Sequence, residues 1–191
     1  MKLESPAPYP AHLTSSWPLG LSHSVSVRPI RPEDADIELE FARNLSHETR
    51  YNRFLGGGFA LTREWLDRFT RIDFTRDMAL IATVTLDGKE TLISVARYVR
   101  LQDNESCEFA VTVADAWQGH GIGRRLMEKL IAHARSTGLR RMTGEVLATN
   151  APMLRLASSL GFRIETHPDG PQVRHVSLDL ERHLPPQPDC A

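Results

Sequence analysis

The chain predicts a mixed α+β fold: a mostly antiparallel sheet of about seven strands flanked by about four helices. Three observations carry that prediction. Residues 78 to 113 hold three apolar, alternating runs joined by short polar turns, the pattern of a β-meander. A glycine-rich turn then passes without a gap into an amphipathic helix. The rest alternates strand and helix before closing in a hairpin.

Residues 1 to 24 carry Pro6, Pro8, Pro10 and Pro18 among small polar residues and read as a flexible N-terminal arm. The domain is expected over 25–182, with a second flexible tail over 183–191. Val25 to Ile30 alternates as a strand, and Arg31-Pro32-Glu33 leads into a helix over 34–44 with Asp34 as its cap. Thr62 caps a short helix through Phe69. Met78 to Leu86 and Thr91 to Arg100 pair across the Asp87-Gly88 turn, and Ser106 to Val113 is the third strand. After the glycine turn, Ile122, Leu126, Leu130, Ile131 and Ala134 recur at helical spacing, while Arg124, Arg125, Glu128 and Lys129 fall on the opposite face. Gly138 ends that helix as a left-handed residue would. Arg141 to Leu147 is a strand. Asn150 opens a helix with Met153, Leu156, Ala157 and Leu160 inward, and Gly161 closes it. Arg163 to Thr166 and Val173 to Leu180 form the last hairpin around Pro168-Asp169-Gly170-Pro171.

Composition narrows the class. The formal net charge of -1 argues against a general nucleic-acid binder. No run is long and apolar enough to span a membrane, and the N-terminus has no signal-peptide core. Two cysteines, Cys107 and Cys190, make no disulfide framework, so a reduced, cytoplasmic setting is expected. The histidines have no ligand spacing, and no metal is expected.

The chemistry is expected at the glycine turn. Gly119, Gly121 and Gly123 alternate across the join between strand and helix. Consecutive backbone N–H groups facing one way at a helix N-terminus bind phosphate, helped by the positive end of the helix dipole. A diphosphate-bearing molecule is therefore expected there. The turn lacks the Gly-Lys-Ser/Thr ending of a Walker loop and the spacing and surroundings of the dinucleotide fingerprint. Arg124 and Arg125 open the helix, where the dipole disfavours them. They serve either a phosphate or a solvated basic face.

Gln118-Gly119-His120-Gly121-Ile122-Gly123 resembles the Q/R-x-x-G-x-G/A loop of the GNAT superfamily of N-acetyltransferases. Within it, the chain is most similar to the acetyltransferase domain of bacterial protein lysine acetyltransferases. The matching segments are 45–54, 71–74, 108–113, 150–157 and 160–162, and the resemblance covers roughly Val25 to Leu180. It implies a GNAT-like fold and acetyl-coenzyme A as cosubstrate. By the same resemblance Gln118, Gly119, His120, Gly121, Ile122, Gly123 and Arg124 hold the pyrophosphate, and the backbone of Val111, Thr112 and Val113 meets the pantetheine arm. Asn150, a good helix cap in its own right, is implied to touch the coenzyme as well.

The resemblance puts the general base at Glu108. A lysine ammonium has pKa ~10.4, so freeing the amine at pH 7 costs about 4 to 5 kcal/mol. A carboxylate can take that proton as the amine attacks, and partial burial is expected to raise its pKa toward the task. The resemblance favours a protein lysine as acceptor, with a small-molecule amine or a protein N-terminus as alternative, and a non-catalytic coenzyme-binding module as a further one. Residues 45–54 and Gly56-Gly57-Gly58 are expected to form a loop that walls the acceptor side, with the glycine triplet alternatively a flexible spacer. Two positions depart from the family. Ala157 stands where many relatives carry a general-acid tyrosine, and Ser94 where relatives often have glycine.

Overall fold

The meander forms as expected because its strands are apolar on both faces. In the computed structural model, which describes residues 8–21, 23–56, 61–168 and 170–181, β3 (Asp77–Leu86) pairs antiparallel with β4 (Lys89–Arg100), and β4 with β5 (Ser106–Val113). Met78, Leu80, Ala82 and Val84 of β3 pack toward one face, while Ala79 and Ile81 pack toward the other. The turn between β3 and β4 has Asp87 and Gly88 both at positive φ, as a tight hairpin of right-handed twist demands.

Among the described residues eight strands make one sheet, in the order β1-β2-β3-β4-β5-β6-β8-β7, where β1 is Ser15–Leu19, β2 His23–Pro29, β6 Arg141–Leu147, β7 Arg163–His167 and β8 Gly170–Asp179. The additional strand lies in the segment read as a flexible arm. Ser15–Leu19 forms β1 and pairs antiparallel with β2 (His23–Pro29). Pro18 obscured it in the sequence, yet a proline is tolerated in a strand that lies at the sheet edge. Two contacts hold the segment: the Arg125 guanidinium lies 4.8 Å over the Trp17 ring, and the Tyr9 hydroxyl donates to the Pro29 carbonyl at 2.9 Å. The expectation of a flexible arm is thus corrected for residues 8–21; residues 1–7 and the tail from 182 lie outside the described residues.

Among the described residues five α-helices flank the sheet. Helices α4 (Ile122–Ser136) and α5 (Ala151–Ser159) sit on the face with the larger core. There Leu126, Met127, Leu130 and Ile131 are buried, and each contributes roughly 1.5–3 kcal/mol. The opposite face carries α1 (Ala35–Asn44), α2 (His47–Arg53) and α3 (Arg63–Thr70), with Phe41, Leu45, Ile81 and Val95 in a second, smaller core. Helix α2 is a correction, since its residues read as loop. Ser46 caps it by accepting from the Thr49 amide at 3.1 Å. The other caps follow the sequence: Thr62 accepts from the Trp65 amide, and Asn150 accepts from the Met153 amide at 3.2 Å.

The candidate active site

The site is made by a failure of pairing. Strands β5 and β6 run parallel but pair over three residues only: Ser106 with Arg141, Cys107 with Met142 and Glu108 with Thr143. Beyond Glu108 the strands part. A cleft of about 490 Å³ opens there, within the range of small-molecule sites. Its floor is the separated half of β5, from Glu108 to Val113; its walls are the glycine turn, α5 and α2.

The glycine turn supplies one end. Gly119 and Gly121 adopt left-handed backbone with φ of +77° and +76°, and a Cβ on either would meet no atom within 4 Å. Gly123 is needed for close approach instead, because a Cβ there would lie 3.2 Å from Val113 Cγ2. Helix α4 starts from Gly121 with no side-chain cap, and the N–H groups of residues 119–124 have no acceptor among the described residues. Six successive donors beside open space suit a diphosphate. The residues present therefore fit the coenzyme that the fold implies.

Ten of the eleven expected coenzyme positions line the cleft: Val111, Thr112, Val113, Gln118, Gly119, Gly121, Ile122, Gly123, Arg124 and Asn150. His120 does not; its ring turns back so that Nδ1 lies 2.8 Å from the Gln118 carbonyl oxygen. Arg124 is engaged within the fold, donating to Ser159 Oγ at 2.7 Å and pairing with Glu128 at 3.0 Å, so it ties α4 to α5. Arg125 stacks on Trp17, away from the glycine turn's open side.

Glu108 lines the cleft at the point where the strands part. The expectation of partial burial is corrected, for Glu108 is exposed. Chain tyrosines number three, Tyr9, Tyr51 and Tyr98, and none lines the cleft. Tyr98 is buried, with its hydroxyl 2.9 Å from His133 Nδ1, and Ala157 is fully buried in the core. Burial pushes the Cys107 thiol up to about 12, which leaves it inert. Ser94 accounts for its own departure from the family, since its buried hydroxyl donates to the Thr112 carbonyl at 2.8 Å.

The other end holds arrangements the sequence did not disclose. Asp115, just before the glycine turn, accepts from the Ser46 amide at 2.9 Å, Ser46 Oγ at 2.7 Å and Thr49 Oγ1 at 2.6 Å. Burial pushes its carboxyl up, but these hydrogen bonds outweigh that and hold it below the usual range. Gln118 Nε2 donates to Thr49 Oγ1 and to the Val113 carbonyl, so the expected coenzyme-loop glutamine also braces α2. Behind α2, Glu38 of α1 lies 3.6 Å from Arg97 of β4, whose guanidinium covers the Phe69 ring at 4.0 Å. Each of these polar residues was visible in the sequence; their convergence required the topology. Residues Gly57 and Gly58 of the glycine triplet lie outside the described residues. Gly56 is left-handed and packs against the Tyr51 ring.

This construction, a coenzyme-sized cleft where two parallel strands part beside a glycine-rich helix start, defines an N-acyltransferase. The sequence profile of the acetyltransferase (GNAT) family matches residues 40–162, and the chain belongs to that family of acetyl-CoA-dependent N-acyltransferases. It is 39% identical to an acetyltransferase of Pseudomonas aeruginosa over 152 residues, covering 79% of this chain and 82% of that one. It is 34% identical to the acetyltransferase Pat of Mycolicibacterium smegmatis over 136 residues, covering 71% of this chain but 40% of that longer protein. Among solved structures, the GNAT domain of S. lividans PAT superposes with a TM-score of 0.79 at 30% identity, covering 90% of this chain and 99% of that one. The fold of yncA from Salmonella typhimurium, solved with acetyl-CoA, is shared at a TM-score of 0.64 and 22% identity, over 87% of this chain and 99% of that one. Among the described residues no helix is long and apolar enough to cross a membrane, and no cluster of side chains could hold a metal ion.

Proposed function

We propose that the protein acetylates a primary amine by direct attack on acetyl-CoA, with Glu108 as general base and a protein lysine side chain as acceptor. The observation that carries this reading is the position of Glu108 on the last residue pair before β5 and β6 separate. An amine entering from the α2 side reaches that carboxylate and the floor of β5 together. The coenzyme's diphosphate belongs on the amides of residues 119–124, and its arm along the main chain of Val111 to Val113. Glu108 accepts the ammonium proton, directly or through one water. The amine nitrogen then bonds to the thioester carbon, the C–S bond breaks with the coenzyme leaving as thiolate, and the nitrogen releases its second proton to solvent to give the neutral amide. A main-chain N–H near Val111 to Val113 would support the oxyanion. With no tyrosine in the cleft, solvent protonates the leaving thiolate, a tolerable leaving group with pKa ~8.5. Exposure of Glu108 is compatible with this order, because the entering acceptor supplies the desolvation.

A second acceptor class is supported by the relatives. The chain also matches an L-methionine sulfoximine/L-methionine sulfone acetyltransferase of Salmonella typhimurium, 35% identical over 89 residues, 41% of this chain and 51% of that one. A small amine is therefore the alternative acceptor. A coenzyme-binding module without turnover is the alternative to catalysis.

Glu108→Gln tests the reading. The expected result is a loss of roughly 10²–10⁴ in kcat with coenzyme affinity within about twofold of wild type. Retained turnover in the Gln variant overturns Glu108 as base. Labelled acetyl-CoA with a cell extract, followed by mapping of modified lysines, tests the acceptor. Coenzyme binding without transfer to any protein or amine would favour the module.

A further inference from the structure

Beneath α2 lies a second, small chamber of about 30 Å³, and its wall is out of keeping with its surroundings. Phe41, Phe54, Trp65 and Phe69 make it aromatic, yet Glu38, Arg53 and Arg97 also line it. Polar groups placed in such a wall normally find partners. Here two do not. Glu38 Oε2 and Arg97 Nη2 are fully buried without a hydrogen bond, and Arg97 Nη2 lies 3.6 Å from the other carboxylate oxygen, Glu38 Oε1, close enough for attraction and too far for a hydrogen bond. Leaving such groups unsatisfied is costly. Space for one or two waters, or for one small polar group, adjoins them.

The charge count says what kind of group. Two guanidiniums face one carboxylate, an excess of one positive charge among the described groups of the chamber. Burial pulls the Arg97 guanidinium down to about 10 against the attraction of Glu38. Arg53 is likewise lowered by burial, and Glu38 and Glu108 together do not offset it. Its guanidinium has a ring contact with Phe54 at 5.1 Å and no ion pair among the described residues. Arg53 also lines the main cleft, so it stands between the chamber and Glu108. The face is common to all of these groups: Arg97 pairs with Ala110 on β5, two residues from Glu108 and on the same side of the strand. Helix α2, which carries Arg53, is pinned by Asp115 through Ser46 and Thr49.

We propose that Arg53 and Arg97 form an acceptor subsite for a carboxylate lying close to the reacting amine. The proposal rests on the reading of Glu108 as the group that meets that amine. An ammonium at Glu108 and a carboxylate at Arg53 make a zwitterion site, with Glu38 attracting both arginines and so offsetting their mutual repulsion. Two guanidiniums can grip a carboxylate with several parallel N–H donors, which lysines in their place would not do. The carboxylate comes either from a free amino acid or from an aspartate or glutamate next to a target lysine.

Matched acceptors decide it. Acetyl transfer is measured for an amino acid against its decarboxylated amine, and for a peptide with Asp-Lys against the same peptide with Asn-Lys. The wild type is expected to prefer the carboxylate partner of at least one pair by about tenfold or more in kcat/KM, chiefly through KM, and the pair that shows it identifies the source. Arg53→Gln is expected to bring that ratio close to one. The ratio is the readout, so a general loss of activity does not imitate the result. Binding provides a test without turnover: N-acetyl amino acids are titrated against their amides into protein carrying coenzyme A, with coenzyme affinity and thermal stability confirming that the variant is folded. Tighter binding of the acid, lost in Arg53→Gln, supports the subsite even if no turnover is seen, a result that would count against the catalytic reading alone. Equal binding of acid and amide by the wild type, or a preference that survives in Arg53→Gln, overturns the subsite whatever the activity.

Discussion

The two ends of the cleft are built from different materials. At the proposed coenzyme end the candidate groups are main-chain amides, presented by Gly119, Gly121 and the first turn of α4, and two side chains there engage the fold: Arg124 binds Ser159, and Gln118 braces Thr49. At the proposed acceptor end the candidate groups are side chains from separate elements, with Glu38 from α1, Arg53 from α2, Arg97 from β4 and Glu108 from β5. A backbone site tolerates exchange of neighbouring side chains as long as φ is preserved. A side-chain site depends on every contributor and on the packing of the helices that carry them. Coenzyme binding and acceptor choice should therefore respond to different mutations.

The largest break in that comparison is expected at Gly121. A β-branched residue in left-handed backbone costs roughly 1–2 kcal/mol, and its side chain would enter the open space over which the amides face. Gly121→Val is expected to weaken coenzyme binding at least about tenfold, measured by titration calorimetry, with a fall of roughly 2–8 °C in thermal midpoint from the backbone strain and the sheet still formed. A variant that binds coenzyme as tightly as wild type would show that the glycine turn is only a connection between strand and helix.

The same contrast explains what could be read in the sequence. The coenzyme end lies within one contiguous stretch, and the spacing of Gly119, Gly121 and Gly123 already carried its meaning. The strands β3 to β6 and helices α4 and α5 were legible for the same local reason, since apolar period, turn and cap all fall within short windows. Strand β1 was hidden by Pro18, which is harmless only at an edge that the sequence does not reveal. Helix α2 had its cap in Ser46, but its polar residues lack an apolar stripe, because it is held by Asp115 rather than by core burial. The charged chamber was illegible altogether. Glu38 and Arg97 are 59 positions apart, and only the pairing of β4 with β5 and the seating of α1 on that face bring them to 3.6 Å. The burial state of Glu108 was misjudged for a related reason: it follows from where β5 and β6 part.

A smaller, more selective break is expected at Asp115. Its carboxylate receives three hydrogen bonds from Ser46 and Thr49, whereas an amide offers one accepting oxygen and adds donors with nowhere suitable to go. Asp115→Asn is expected to loosen α2, raise the acceptor KM several-fold and speed hydrogen exchange of the α2 amides. Coenzyme affinity should stay within about twofold, because the amides of residues 119–124 do not depend on that carboxylate. Equal losses at both ends would mean that the cleft behaves as one unit and that the division drawn above is false.

The finest test lies between the two ends, at Ser94. Its hydroxyl is fully buried and donates to the carbonyl of Thr112, a residue whose main chain forms the cleft floor. Ser94→Ala removes that donor without altering the strand's conformational freedom, and the cost is about 1 kcal/mol. For a domain of this size the expected result is a fall of about 2–4 °C in thermal midpoint. If the bond serves packing of β4 on β5 alone, coenzyme affinity and acceptor KM both remain as they were. If coenzyme affinity changes while the thermal midpoint does not, the hydroxyl acts on the cleft floor by setting which lone pair of the Thr112 carbonyl is left for the pantetheine arm. In that case the coenzyme end includes one side chain after all, and the departure from glycine at this position is a matter of binding and not of strand stability.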